Sequence, residues 1–140
     1  MQIKIKYAEG MKPIWKAHEG EWYDLRAGED VTYVKGDIVT ISLGVSMELP
    51  LGYEAHVRPR SSMCRKRGLV WADSGVIDHA FCGDNDVWGC TFYAVRSGKI
   101  YKNDRICQFR ILPVQTYTEV VEVKFLGNSD RGGYGSTGTN

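Results

Sequence analysis

Asp78 closes a short apolar run, Gly75-Val76-Ile77, and is followed by His79-Ala80-Phe81-Cys82-Gly83-Asp84. Val76 and Ile77 are β-branched and favour a strand. Gly75 and Gly83, with Asp84-Asn85 just beyond, favour turns at both ends. A carboxylate fixed at the end of a buried strand is partly desolvated, which suits it to act as a general base. Taken alone, a Val-Ile-Asp run is more simply an acid that caps a turn.

Two further stretches carry possible chemistry. Arg60-Ser61-Ser62 opens the only convincing helix signal, Ser61 to Arg67, with Gly68 placed to close it after Arg65-Lys66-Arg67. The free N–H groups at a helix start attract anions, and Arg60 adds a bidentate charge. Standing alone, that stretch is a plain N-cap beside a surface arginine. The tail from Gly127 holds five glycines with Arg131, Tyr134, Ser136 and Thr137, and hardly an apolar side chain. Such a segment buries too little surface to order itself. It is not a P-loop, because Gly135-Ser136-Thr137-Gly138 has no lysine and no helix signal before it.

The elements that must position these residues are predicted to be strands. Ile3 and Ile5 alternate with Gln2, Lys4 and Lys6, the pattern of a half-buried strand. Met11 to Gly20 reads as loop. Val31 to Val34, Asp37 to Leu43, Val45 to Leu49 and Tyr53 to Val57 read as strands broken by Lys35-Gly36 and Pro50-Leu51-Gly52. Leu69 to Trp71 and Gly75 to Ile77 look like a hairpin. Val87 to Arg96 and Ile106 to Leu112 are longer strands with a turn at Ser97-Gly98. Glu119, Val121, Val123 and Phe125 fall on one face of a last strand. Many short strands with regular turns point to an all-β barrel or sandwich, and periodicity stops there.

At 140 residues the chain is expected to be one domain, with no internal repeat or linker. Eighteen Lys and Arg stand against 17 Asp and Glu, a net charge of +1, which gives no electrostatic case for binding long nucleic acid. No run of 18 apolar residues is present, so no membrane span is expected. The start, Met-Gln-Ile-Lys-Ile-Lys, has no signal-peptide core, and a cytoplasmic location follows as the expectation. Cys64, Cys82, Cys90 and Cys107 lack the CxxC spacing of a zinc site. Cys64 and Cys107 read as small buried hydrophobes in a reducing compartment.

Five stretches in order resemble the five motifs of the trimeric dUTPases (dUTP pyrophosphatases). Trp22-Tyr23-Asp24-Leu25 resembles the first and Pro59-Arg60-Ser61-Ser62 the second. Gly75-Val76-Ile77-Asp78 with Phe81 and Gly83 resembles the third. Asp104-Arg105-Ile106-Cys107-Gln108 resembles the fourth. Arg131-Gly132-Gly133-Tyr134-Gly135-Ser136-Thr137-Gly138 resembles the fifth. Together they span nearly the whole chain. Through Met47-Glu48-Leu49-Pro50 and Asp104 to Arg110 the chain is similar to dUTPases of phages and prophages of Gram-positive bacteria.

The resemblance implies a distorted jelly roll that assembles as a homotrimer, with a β domain over 1–126 and a flexible glycine-rich lid over 127–140. It implies hydrolysis of dUTP to dUMP and pyrophosphate, keeping uracil out of DNA and supplying dUMP. Asp78 would orient the water that attacks the α-phosphorus. Arg60, Ser61, Ser62 and Gln108 would hold phosphate, with Asp104 and Arg105 as a structural pair. Phe81, where the family usually has tyrosine, would pack on deoxyribose and exclude a 2′-hydroxyl. Backbone groups of the stretch from Gly68 to Val76, with Asp73, Gly75, Val76 and Ile77, would read uracil. Arg131 would reach the γ-phosphate, Tyr134 would stack on uracil, and Gly135, Ser136 and Thr137 would wrap the phosphates. Mg²⁺ is implied, bound mainly by the phosphates and touching Asp24 through water.

Two rival readings come from other classes. dCTP deaminase shares the implied fold and an Arg-Ser-Ser stretch, but its chemistry needs a glutamate in the strand after the third motif. Val87 to Tyr93 contains no acid. A nucleotide-gated interaction protein, binding a regulatory partner, would not require loss of catalysis, and Glu9 to Gly20 is the candidate insert for it.

Overall fold

The longest strand of the computed structural model, which describes residues 1–139, is Arg105–Pro113, and the largest sheet is built around it. In chain order the strands are β1 (Lys4–Tyr7), β2 (Trp15–Lys16), β3 (Tyr23–Arg26), β4 (Val31–Tyr33), β5 (Ile38–Ser42) and β6 (Val45–Glu48). There follow β7 (Tyr53–Pro59), β8 (Leu69–Trp71), β9 (Val76–Ile77), β10 (Gly89–Ala94), β11 (Gly98–Ile100) and β12 (Arg105–Pro113). β12 lies between β3 and β7, and the five-stranded order is β2-β3-β12-β7-β9. A second sheet runs β5-β10-β8, and two ribbons pair β1 with β6 and β4 with β11. Every pairing is antiparallel. The result is an open, all-β distorted jelly roll rather than a closed barrel.

β12 explains how the sheet holds its core and its polar face at once. Its residues should alternate between the two faces. Yet Ile106 and Cys107 are both fully buried. The cause is a register shift between Arg105 and Cys107 opposite β3, a bulge that re-aims one side chain. Beyond it Phe109 faces the core and meets Trp88 edge to face, with ring centroids 5.3 Å apart. Trp71 meets Phe92 in the same way at 5.4 Å. Leu25, Ile41, Leu43, Met47 and Val57 complete the packing. Each large side chain so buried contributes about 1.5–3 kcal/mol.

Several expectations are corrected. The segment Met11 to Gly20 is not all loop: Trp15 and Lys16 form β2, in register with Asp24 and Tyr23. β8 and β9 do not form a hairpin with each other. β8 pairs with β10 and β9 with β7, so the chain crosses between sheets through residues 72–75. The helix at Ser61 to Arg67 shrinks to one π-helical turn, Met63–Arg67. Ser62 occupies its N-cap without a side-chain hydrogen bond. Gly68 does close it, at φ 65°, where a β-carbon would be strained. Val114 to Leu126, expected to carry the last strand, contains no strand and is exposed throughout. Its alternation needs a neighbouring strand, and among the described residues none takes it up.

The cysteines divide by burial. Cys90 and Cys107 are buried, whereas Cys64 is exposed, against expectation, as is Cys82. All four are free thiols. A hydrogen bond with Cys90, followed by burial, pushes the Cys107 thiol well up. No helix among the described residues is long and apolar enough to cross a membrane.

Candidate active site

Asp24 is one of the few polar side chains taken into the body of the protein, at 7% exposure. It sits on β3 opposite Gln108 of β12 and opposite Trp15 of β2. A buried carboxylate requires charge or hydrogen-bond partners. Two guanidinium groups supply them on one oxygen: Arg105 Nη1 lies 3.1 Å and Arg60 Nε 3.3 Å from Asp24 Oδ2. Arg105 is also stacked on Trp15, 4.3 Å from the ring centroid. The expected pair between Asp104 and Arg105 is absent. Asp104 instead accepts from Arg67 Nη2 at 3.3 Å and from the Tyr101 N–H at 3.0 Å.

Around this ion cluster lies a cavity of about 250 Å³. One wall carries Asp24, Arg60, Ser61 and Gln108. β7 ends at Pro59 beside Cys107, and the Arg60 N–H donates to the Ile106 carbonyl at 3.0 Å. Those contacts fix the Arg60-Ser61 stretch at the mouth of β12. Gln108 Nε2 donates to the Pro59 carbonyl at 3.3 Å, at the same place. A five-residue turn is too short to build the helix field expected for anion binding. Arg60, the Gln108 amide and the Ser61 hydroxyl are the donors that remain. Three stretches of the sequence, around Asp24, Arg60 and Gln108, therefore converge on one polar cavity able to take phosphate.

The other wall consists of Trp15, Ala17, Gly20, Glu21 and Trp22. Trp15, Ala17 and Gly20 fall in the stretch read as loop, whereas Trp22 opens the first of the five motifs. The available signal for the wall was the pair of tryptophans flanking a Gly-Glu step, which a two-residue strand disguises.

Asp78 does not join this cavity within one chain. β9 pairs with β7 through Ile77 opposite Ala55 and Val76 opposite His56. Ala55 lies five residues before Arg60, which at about 3.3 Å per residue is roughly 17 Å along the strand. β9 is an edge strand, and Asp78 is exposed, not desolvated as expected. Its carbonyl accepts from the Phe81 N–H at 3.0 Å, so a tight turn joins the two residues. Phe81 is 41% exposed and Val76 45%.

Before β9 the chain makes a close approach that only glycine permits. Gly75 has φ +71°, and a β-carbon there would collide with the Val57 carbonyl oxygen. The Val57 N–H donates to the Gly75 carbonyl at 2.6 Å. Asp73 accepts from the Ser74 N–H at 2.9 Å, which turns its side chain back onto its own loop. Ser62, like Asp78, lies outside the residues lining the cavity.

Arg131, Tyr134, Gly135, Ser136 and Thr137 lie apart from both groups. The tail is exposed over 127–139 and forms two successive turns, closed by Ser136 N–H to Gly133 O at 3.1 Å and Gly138 N–H to Gly135 O at 2.9 Å. Tyr134 is fully exposed at φ 51°. Asn140, the end of the expected lid, lies outside the described residues.

Comparison with known proteins bears on these fragments together. A family model described as dUTPase matches residues 16–139. The SPbeta prophage-derived deoxyuridine 5'-triphosphate nucleotidohydrolase of Bacillus subtilis is 54% identical over 141 residues, covering 99% of each chain. A deoxyuridine 5'-triphosphate nucleotidohydrolase of Hydrogenobaculum is 38% identical, over 97% of this chain and 96% of its own. Among solved structures, a Staphylococcus bacteriophage 80alpha dUTPase mutant with dUpNHpp has the same fold. Its TM-score is 0.81 over 99% of both chains, at 21% identity. The matched span holds every cavity residue except Trp15, the Gly75 approach, Asp78 and all but the last residue of the tail, and on that extent the chain belongs to the dUTPase family.

Proposed function

We propose that this chain hydrolyses dUTP to dUMP and pyrophosphate by attack of water on the α-phosphorus. The observation that carries the reading is the convergence of Asp24, Arg60, Ser61 and Gln108 on one cavity. Its donors suit an anion. Arg60, Ser61, Ser62 and Gln108 bind the phosphates, and Asp78 takes the water's proton. Phe81 packs against the deoxyribose and leaves no room for a 2′-hydroxyl. The loop from Gly68 to Val76 reads uracil through its backbone.

The separation of Asp78 from Arg60 supports a homotrimer. Continued in register, Asp78 falls opposite Glu54, six residues or roughly 20 Å along the strand from Arg60, and a base so placed serves the cavity only if another copy brings it there. The exposed arm adds a second reason. Val120 is 90% exposed, Phe125 87% and Leu126 83%, a surface that a neighbouring copy would cover. Closure of the tail then brings Arg131, Tyr134, Ser136 and Thr137 to the substrate and excludes bulk water, keeping the one water that attacks. The cytoplasm, that of the host if the chain is phage-encoded, is the location that suits a nucleotide substrate.

The donor set fits a Mg²⁺ held chiefly by the substrate. Among the described residues no three His, Cys, Asp or Glu side chains converge as a cage. Asp24 carries two guanidinium groups on one oxygen and would touch the ion through water. The ion supplies charge neutralisation to the triphosphate.

The test is pyrophosphate release with dUTP, dCTP and UTP, together with sedimentation. Turnover of dUTP by a species of 47.4 kDa, three times the 15.8 kDa chain, is expected. Ammonia release from dCTP, or a fully active monomer, overturns the reading.

A further inference from the structure

Arg58 has no part in the chemistry above, yet it holds a marked position. It stands on β7 two residues before Arg60. The ladder between β7 and β9 ends at His56 opposite Val76. Continued in register, it would set Arg58 opposite Ser74. The backbone does not continue it beyond Val57, whose N–H reaches the Gly75 carbonyl at 2.6 Å. Instead the Arg58 side chain takes over: Nη1 donates to the Ser74 carbonyl at 3.1 Å and to the Val57 carbonyl at 2.9 Å.

Three polar groups of the loop are thereby fixed. Asp73 holds the Ser74 N–H, Arg58 holds the Ser74 carbonyl and Val57 holds the Gly75 carbonyl. Gly75 is wedged against the same guanidinium: a β-carbon there would lie 2.6 Å from Nη1. The peptide plane between Ser74 and Gly75 is thus set by a charged side chain, not by a sheet.

A base reader built from backbone groups depends on which way its peptide planes face. The recognition edge of uracil offers an N–H flanked by two carbonyls. That of cytosine replaces one carbonyl with an amino group and the N–H with a bare nitrogen. Turning a peptide plane exchanges a donor for an acceptor, so a loop free to turn presents no fixed pattern and favours uracil over cytosine less. A loop that cannot turn leaves polar groups unpaired against the wrong one.

We propose that Arg58 is a positioning residue for base selection, locking the 72–75 loop in the orientation that accepts uracil and rejects cytosine. This rests on the assignment of base reading to that loop.

The experiment compares wild type, Arg58→Ala and Arg58→Lys for pyrophosphate release from dUTP and dCTP, with hydrogen exchange at residues 72–77. In Arg58→Ala, the ratio of kcat/KM for dUTP over dCTP should fall about tenfold or more, the weight of a charged hydrogen bond. The loss should lie in KM for dUTP, with kcat little changed, and loop amides should exchange faster. Arg58→Lys, which can reach one carbonyl, should recover part of the ratio. If Arg58→Ala does not fold, the lysine variant carries the test through the same two readouts. An unchanged ratio in a folded variant overturns the proposal. So does a changed ratio with unchanged exchange, which would mean that Arg58 touches the base directly. If wild type does not hydrolyse dUTP, the proposed activity fails on its own, and the base-selection proposal that rests on it is overturned too.

Discussion

Arg60 and Asp24 are tied through a single carboxylate oxygen, Nε to Oδ2 at 3.3 Å, and Arg105 shares that oxygen at 3.1 Å. Removing the charge leaves two guanidinium groups facing a neutral amide. Both arginines are about one-third exposed, so solvent offsets part of the loss. Asp24→Asn should cost roughly 1–2 kcal/mol of stability and raise KM for dUTP, because Arg60 is no longer aimed. Thermal melts and steady-state kinetics check both. An unchanged KM would remove Asp24 from the phosphate site.

Asp78 makes a sharper claim on turnover. Asp78→Asn keeps the shape of the side chain and loses its ability to accept a proton. Turnover should fall about 10²–10⁴-fold while dUTP still binds. Calorimetric titration of a non-hydrolysable analogue beside single-turnover kinetics separates the two effects. A variant with unimpaired turnover would exclude Asp78 as the base.

The limits of the sequence follow from where each contact is made. β1, β6, β7 and β12 were legible because their alternation is local, as Ile3 and Ile5 against Lys4 and Lys6 show. Gly68 was legible because a left-handed closure needs glycine. β2 was not, since two residues carry no period. Nor was the parting of β8 from β9: sheet partners are chosen by long-range packing, and each strand reads the same whichever sheet takes it. At the site, residue types pointed to Arg60, Ser61 and Ser62, the motif resemblance added Asp24 and Gln108, and nothing pointed to Trp15 on the wall that faces them. The distance between Asp78 and Arg60 was invisible, because register, not spacing in the chain, sets it.

Phe81 is placed to test sugar selection. Its ring is 41% exposed on the turn that begins at Asp78. If that ring fills the space of a 2′-hydroxyl, Phe81→Ala should raise UTP hydrolysis relative to dUTP by about 10-fold or more, on the scale of pocket-based discrimination. Parallel assays of the two nucleotides decide it, and an unaltered ratio would leave the ring with no gating role.

The thiols should split into two classes. Cys64 and Cys82 are exposed, whereas Cys90 and Cys107 are buried and the Cys107 thiol is pushed up by its hydrogen bond with Cys90 and by burial. The thiolate is the reactive form. A thiol reagent on the native protein should modify two cysteines, and four after denaturation. Rapid native labelling of Cys107, located by peptide mapping, would contradict the packing of β12.

The tail and the arm should part company when the chain is shortened. Stopping after Asp130 removes Arg131, Tyr134, Ser136 and Thr137, all exposed, with two local turns among them. Such a segment contributes little to the core, so the melting temperature should hardly move. Activity should nevertheless collapse, because the segment supplies the proposed γ-phosphate arginine and the uracil stack. Tyr134→Ala alone should cost about 1–3 kcal/mol of transition-state stabilisation, the range of base–aromatic stacking. Stopping after Pro113 goes further and removes the exposed run with Val120, Phe125 and Leu126. If another copy covers that run, this second truncation should weaken the trimer as well as the activity, whereas the first should leave the trimer intact. Sedimentation and melts on both chains, beside dUTP turnover, separate the roles. Full activity after the first cut would mean that the tail is no lid, and an intact trimer after the second would mean that the arm is not what joins the copies.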